Sequence, residues 1–189
     1  MMIGLVGKAR SGKSSVANVL VREYGYLQYA MAGAIRKGIL AALPYVEANY
    51  LHEDKEEIIP LLGVTGRKLL QSFGHNWGRA NNEDTWVNAL SFELDLMKVD
   101  HRKVVIDDIR YENEVDWIKS KGGMIIGVDR PFLEDEGSSC WRTHPSEAGI
   151  DPTKIDHWVA NISPITTDLE CAVRAVMERL LDPELEVVQ

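Results

Sequence analysis

Apolar positions along this chain follow two rhythms, short continuous runs and stripes repeating every three to four residues. Their alternation predicts strands interleaved with helices. Met2-Ile3-Gly4-Leu5-Val6 is a run suited to a buried parallel strand, and Ser15 to Val21 reads as a helix turning Val16, Ala17, Leu20 and Val21 to a sheet. Gly25 to Tyr29 holds a short second strand. In residues 30–43, Ile35, Ile39 and Leu43 share one helical face, which Pro44 ends. Residues 45–64 are less regular, and His52 to Glu57 reads as a solvated charged run. A helix starts near Thr65 as its cap, carries Arg67, Leu69, Leu70 and Phe73, and ends at Gly74. A longer helix follows Asn81-Asn82-Glu83-Asp84, with Trp86, Leu90, Leu94 and Met97 as its core stripe.

Lys103 to Asp107 is the clearest later strand. Glu112 to Lys121 is a helix with Val115 and Ile118 inward, closed by Gly122-Gly123, and Met124 to Val128 resumes a buried strand. Asp129-Arg130-Pro131 then opens a polar stretch whose Gly137, Pro145, Gly149 and Pro152 argue against a regular element. Trp158-Val159-Ala160 is the last short strand, and Leu169 to Leu181 a terminal amphipathic helix followed by Pro183. The order defines an α/β fold around a parallel sheet, with no internal repeat.

Composition narrows the class. The 189 residues, 45% apolar, suit one domain with a sizeable core. No run approaches the ~20 apolar residues that span a bilayer, and no basic leader precedes a hydrophobic segment, so a cytoplasmic location is expected. The two cysteines, Cys140 and Cys171, make neither a disulfide nor a metal framework. A net charge of −8 argues against a broad nucleic-acid surface but not against a small phosphorylated substrate.

The chemistry centres on Gly7-Lys8-Ala9-Arg10-Ser11-Gly12-Lys13-Ser14, which meets the P-loop pattern G-x-x-x-x-G-K-[ST] between the first strand and the first helix. The amides of Gly7, Ala9, Arg10, Ser11, Gly12, Lys13, Ser14 and Ser15 are expected around the phosphates of a nucleotide, helped by the helix N-terminus. Lys13 bridges the β- and γ-phosphates in this motif, and the Ser14 hydroxyl holds Mg²⁺. The strand ending at Asp107-Asp108 delivers carboxylates where they hold metal-bound water or position an attacking oxygen, and Arg110 follows close behind. Sequence does not rank Asp107 against Asp108. The segment after Arg130, with Arg142 and His144, is expected to form a lid over the phosphates. His144 reads equally as a phosphate donor or a structural hydrogen-bonding group. Trp77 and Trp86 read either as base-pocket walls or as core aromatics.

GTPase chemistry is disfavoured, because Asp151-Pro152-Thr153-Lys154 has the wrong order for guanine recognition. A mechanical ATPase usually needs more chain. A small-molecule kinase suits the size and the separated arginines, since donor and acceptor phosphates both need neutralising.

Beyond the P-loop, several stretches carry a family resemblance: Tyr29 to Arg36, Thr65 to Gly74, Asn76-Trp77-Gly78-Arg79, Trp86-Val87, Asp108 to Glu114, Arg130-Pro131, Thr143 to Gly149, and Trp158 to Asn161. With the loop they span nearly the whole chain, which resembles the deoxynucleoside monophosphate kinases of tailed bacteriophages. That resemblance implies the P-loop nucleoside-monophosphate-kinase fold, a three-layer sandwich with a central parallel sheet. It also implies one domain over 1–189, with a helical substrate-binding insertion at about 45–98 and a lid at about 130–150. Members of that family often have Asp-Thr after the P-loop lysine, where this chain has Ser14-Ser15. Dephospho-coenzyme A kinases share the P-loop and general fold and are the alternative, with a non-catalytic nucleotide-binding protein behind them.

The resemblance implies transfer of the ATP γ-phosphate to a deoxynucleoside 5'-monophosphate. Arg36, Arg67 and Arg79 become acceptor-site candidates, Arg67 first among them. Asp108 organises the acceptor or metal water beside Arg110, Asp107 holds Mg²⁺ through water with Ser14, and Arg10, Lys13, Arg130 and Arg142 neutralise the phosphates. Trp77, Trp86 and His144 complete the substrate set. The expected partners are small nucleotides rather than nucleic-acid polymers or membranes, with homodimerisation left open.

Overall fold

The computed structural model describes residues 1–131, 149–162 and 166–181. They divide into two compact units, one made of residues 1–29 with the chain after 100, the other of residues 30–100.

The first unit is built on five parallel strands: β1 (Ile3–Val6), β2 (Leu27–Tyr29), β5 (Val104–Ile106), β6 (Met124–Asp129) and β7 (His157–Ala160). Their spatial order is β2-β5-β1-β6-β7. β1 pairs with β5 through Gly4 and Ile106 and with β6 through Val6 and Gly127. The chain crosses from β5 to β6 over β1, so the C-terminal end of β1 sits at the switch point where open α/β sheets bind ligands.

Alternation along the strands splits the core into two layers. Ile3 and Leu5 of β1, Val105 of β5, Ile126 and Val128 of β6 and Val159 of β7 join one buried cluster with α1 (Lys13–Tyr24) and α6 (Thr166–Leu181). Val16, Ala17, Val19 and Leu20 supply the α1 side, and Leu169, Val173, Val176 and Met177 the α6 side. On the other face lies α5 (Glu112–Ser120), where a side chain at Gly4 would meet Ile118 Cδ1 at 2.6 Å. Helix, sheet, helix is the three-layer α/β arrangement expected from the sequence.

The second unit carries α2 (Ala32–Ala42), a two-strand ribbon of β3 (Ile58–Ile59) and β4 (Val64–Thr65), α3 (Gly66–Gln71) and α4 (Thr85–Leu96). Ile39, Val46, Leu51 and Ile59 form its core, flanked by Ile35, Leu43, Leu69, Leu70 and Phe73. Thr65 does cap α3, its Oγ1 accepting from Lys68 N at 3.2 Å. Gly74 does not end that helix. The chain continues as a π-helix over Ser72–Arg79, a widened turn in which Gly74 and Gly78 are buried. The stripe on α4 also differs from expectation. Trp86, Leu90 and Leu94 are buried, as is Val87 in the first turn, whereas Met97 caps the helix and is 63% exposed.

Candidate active site

Residues 7–12 leave β1 and turn into α1, and three of them have positive φ: Gly7 at 148°, Arg10 at 64° and Gly12 at 107°. A side chain at Gly7 would strike the Val128 carbonyl, and one at Gly12 would meet Asn161 Nδ2 at 2.7 Å. Both motif glycines are therefore required by backbone conformation and by close approach. Gly12 caps α1 with no side-chain hydrogen bond, and the first turn of that helix carries no acid. The helix thus offers its amides and dipole to an anion, in the setting the motif demands.

Within the loop, Lys13 Nζ donates to the carbonyls of Gly7 at 2.7 Å and Lys8 at 2.8 Å. Ser11 is 1% exposed, and its hydroxyl has no hydrogen-bond partner among the described residues. Ala9 and Arg10 lie in the loop, and Ser14 and Ser15 in the first turn of α1.

The next strand over places the two aspartates differently. Asp107 N donates to the Tyr29 carbonyl at 3.3 Å, extending the β2–β5 pairing one residue beyond the strand. Asp107 is therefore in phase with Val105, whose side chain packs in the α1 layer, and Asp108 is one residue out of phase. Ser14 Oγ donates to Asp107 Oδ2 at 3.4 Å. Gln28 Nε2 donates to the same oxygen at 2.8 Å, from a position that register places beside Val105.

Asp108 and Arg110 sit half-buried on the turn between β5 and α5. That turn is held by Glu114, 3% exposed, whose Oε2 accepts from Arg110 N at 2.8 Å and Tyr111 N at 3.2 Å. At the start of α5, the Lys154 ammonium and the Asp151 N–H hold the Glu112 carboxyl below its usual range, fastening residues 151–154 to the helix. Arg130, just past β6, places Nη1 3.5 Å from the Arg10 carbonyl.

The remaining candidates belong to the second unit. Arg36 Nε donates to the Leu51 carbonyl at 3.3 Å. Arg67 is largely buried and its guanidinium pairs with Glu56, Nε donating to Oε1 at 2.6 Å. Arg79 closes the π-helix half-buried. Trp86 is buried, and its Nε1 donates to the Gly74 carbonyl at 2.7 Å, as a core aromatic requires. Trp77 is 55% exposed and stacks on Phe73 with ring centroids 4.9 Å apart. Arg142 and His144 lie outside the described residues.

Sequence reasoning assigned no role to Gln28, Glu114, Glu56 or Asn161. Glu114 had a local signal, an acid three residues past the helix-capping position. The other three are brought to their partners only by pairing and packing.

The donor set fits Mg²⁺, since a hydroxyl and a carboxylate 3.4 Å apart are hard oxygen ligands. Among the described residues no group of three or more His, Cys, Asp or Glu is placed to hold a metal. Binding through one or two protein groups together with substrate phosphates is the usual habit of this ion.

A glycine loop leaving the central strand, with its lysine over the loop and its serine facing an aspartate from the neighbouring strand, defines a P-loop nucleotide-binding protein. The sequence model of the family described as deoxynucleotide monophosphate kinase matches residues 56–170. The chain belongs to the deoxynucleotide monophosphate kinase family, and its activity is phosphoryl transfer to deoxynucleoside monophosphates. A protein of Acanthamoeba polyphaga mimivirus, provisionally named a deoxynucleotide monophosphate kinase, is 29% identical over 167 residues, covering 82% of this chain and 84% of its own. Among solved structures, TT1252 from Thermus thermophilus matches with a TM-score of 0.52 at 22% identity, covering 95% of this chain and 97% of its own. The dephospho-CoA kinase of Campylobacter jejuni matches at 0.51 and 14% identity, covering 95% and 96%. At such identities these structures share the fold alone. Among the described residues no helix is long and apolar enough to cross a membrane.

Proposed function

We propose that this kinase uses Mg·ATP as donor and builds its donor site from the loop at Gly7 to Ser15. Asp107 and Ser14 hold the ion, and residues 30–100 supply the acceptor ligands. One observation carries the reading: Ser14 Oγ faces Asp107 Oδ2 at 3.4 Å, beside the loop that Lys13 spans. When bound, Mg²⁺ supplies positive charge at the β- and γ-phosphate oxygens.

The chain's own groups do the rest by position and charge. The loop amides and Lys13 hold the donor phosphates, while Arg10, Arg130 and Arg142 neutralise charge as the γ-phosphoryl moves. An oxygen of the acceptor 5'-phosphate attacks the γ-phosphorus in line, the bond to the β–γ bridging oxygen breaks, and ADP and the deoxynucleoside diphosphate result. Such a loose transition state needs alignment more than a strong base, so Asp108 and Arg110 orient rather than deprotonate. Arg67 grips the acceptor phosphate, with Arg36 and Arg79 as further cationic groups. Trp77, whose exposed ring suits stacking, serves the base, with Trp86 behind it, and His144 serves as a phosphate donor. The substrates are cytoplasmic metabolites, which supports a cytoplasmic site of action.

The test is ATP consumption with Mg²⁺ across dTMP, dGMP, dCMP, dAMP, the ribonucleotides and dephospho-CoA, reading the phosphorylated product directly. Turnover of one or more deoxynucleotides is expected. Turnover of dephospho-CoA alone would move the acceptor to a ribose hydroxyl and overturn the acceptor assignment.

A further inference from the structure

Asn161 follows the last residue of β7, on the edge strand of the sheet, yet its side chain ends on the glycine loop of the central strand. Its backbone N–H donates to the Asp129 carbonyl at 2.7 Å, which anchors it to the end of β6. Its Nδ2 then donates across to the Ser11 carbonyl at 3.0 Å. The same nitrogen lies 2.7 Å from where a side chain on Gly12 would begin, so the amide packs on the Ser11–Gly12 peptide itself.

That peptide is one rigid plane. In a trans peptide the carbonyl of one residue and the N–H of the next point in opposite directions. Holding the Ser11 carbonyl towards Asn161 therefore turns the Gly12 N–H away from it. The positive φ of Gly12, 107°, leaves the plane poorly restrained from its own helix side, because glycine tolerates the alternatives. We propose that Asn161 is a positioning residue of the donor site, setting the direction of the Gly12 amide so that it meets a polyphosphate. The proposal rests on the donor-site reading above and adds to it a residue from the opposite end of the chain.

A clamp on the loop differs from a contact to the nucleotide base, and inorganic tripolyphosphate separates the two because it has no base. Wild type, Asn161→Asp and Asn161→Ala are titrated calorimetrically with Mg·ATP and with Mg·tripolyphosphate. Asp keeps the shape but cannot donate. Losing one net hydrogen bond weakens Asn161→Ala roughly fivefold to tenfold for both probes. Asn161→Asp weakens at least as much, because its charge also opposes the anion. Asn161→Ser, which keeps a donor on a shorter arm, falls between wild type and Ala. The KM for the deoxynucleotide stays within about twofold, and the unliganded variants melt close to wild type.

Equal binding of both probes by wild type, Ala and Asp variants overturns the proposal. Loss confined to Mg·ATP overturns it in favour of a base contact. A large drop in unliganded Tm in all three variants, with tripolyphosphate affinity of the folded protein unchanged, overturns it in favour of a purely structural role. Wild type that binds neither probe removes the donor site and the proposal together.

Discussion

Gln28 and Ser14 converge on one oxygen, Asp107 Oδ2, from 2.8 Å and 3.4 Å. Two consecutive elements, α1 and β2, thus hold a carboxylate that lies 93 and 79 positions further along the chain. Asp107→Asn should raise the Mg²⁺ concentration needed for half-maximal activity at least tenfold, with Asp108→Asn altering turnover more than Mg²⁺ demand. Gln28→Ala, which removes a support rather than a ligand, should shift the same midpoint roughly threefold to tenfold. A metal titration of ATP binding for the three variants checks the ranking, and an unmoved midpoint in Asp107→Asn would sink the assignment.

Lys13 spans the carbonyls of Gly7 and Lys8, within the loop proposed to hold the donor phosphates. Lys13→Ala should lower kcat by about 10²–10³-fold, the usual cost of a lost transition-state charge donor. Circular dichroism should show the fold unchanged. Near-normal turnover would remove the loop from the reaction.

Arg67 is held by Glu56 in the second unit, on a side chain only 14% exposed. Arg67→Ala should raise the KM for the deoxynucleotide tenfold or more and leave ATP affinity within about twofold. Arg67→Lys should recover part of the loss, since a point charge replaces the planar fork. Equal acceptor kinetics in wild type and Arg67→Ala would discharge the residue from the site.

Trp86 and Trp77 neighbour each other with centroids 6.2 Å apart but differ in burial. Trp86→Ala should cost about 3–5 kcal/mol of stability, as for other buried aromatics. Trp77→Ala should cost about 0.5–1.5 kcal/mol, the value of its stacked pair, while changing acceptor KM. Urea melts and acceptor kinetics on both variants measure the split.

Glu23 accepts from Arg174 Nε at 2.7 Å and from Arg22 Nη2 at 2.7 Å. The Arg174 bond first, then the Arg22 bond, lowers its pKa from 4.5 to about 2. A carboxylate lowered by folding adds stability above its unfolded pKa and loses it as pH falls through the folded value. The Tm gap between wild type and Glu23→Gln should be constant well above pH 4.5, shrink as the pH falls, and vanish only below about pH 2. High salt should shrink it, as at any exposed pair. A gap independent of pH would exclude the ion pair as its source.

Runs such as Met2 to Val6 and Met124 to Val128 were legible because a strand buried on both faces needs uninterrupted apolar residues. The loop was legible because its glycines are demanded locally, by φ. Gly74 misled because a glycine read alone signals a stop, while here it lies inside a π-helix that packs it against Ile35. The ribbon of Ile58–Ile59 and Val64–Thr65 is too short to leave a period. Met97 follows the stripe of α4 but falls at its cap, where the helix no longer faces the core.

By itself, then, the sequence determined the alternation of strands and helices and the glycine loop between the first strand and the first helix, because each depends on neighbours within a few positions. Only the tertiary structure brought Asp107 to Ser14, since that contact depends on strand phase against β2. It alone brought Gln28 to the carboxylate and Asn161 to the Ser11 carbonyl. Those contacts join residues 79 and 150 positions apart, and no local periodicity can encode which strands lie side by side.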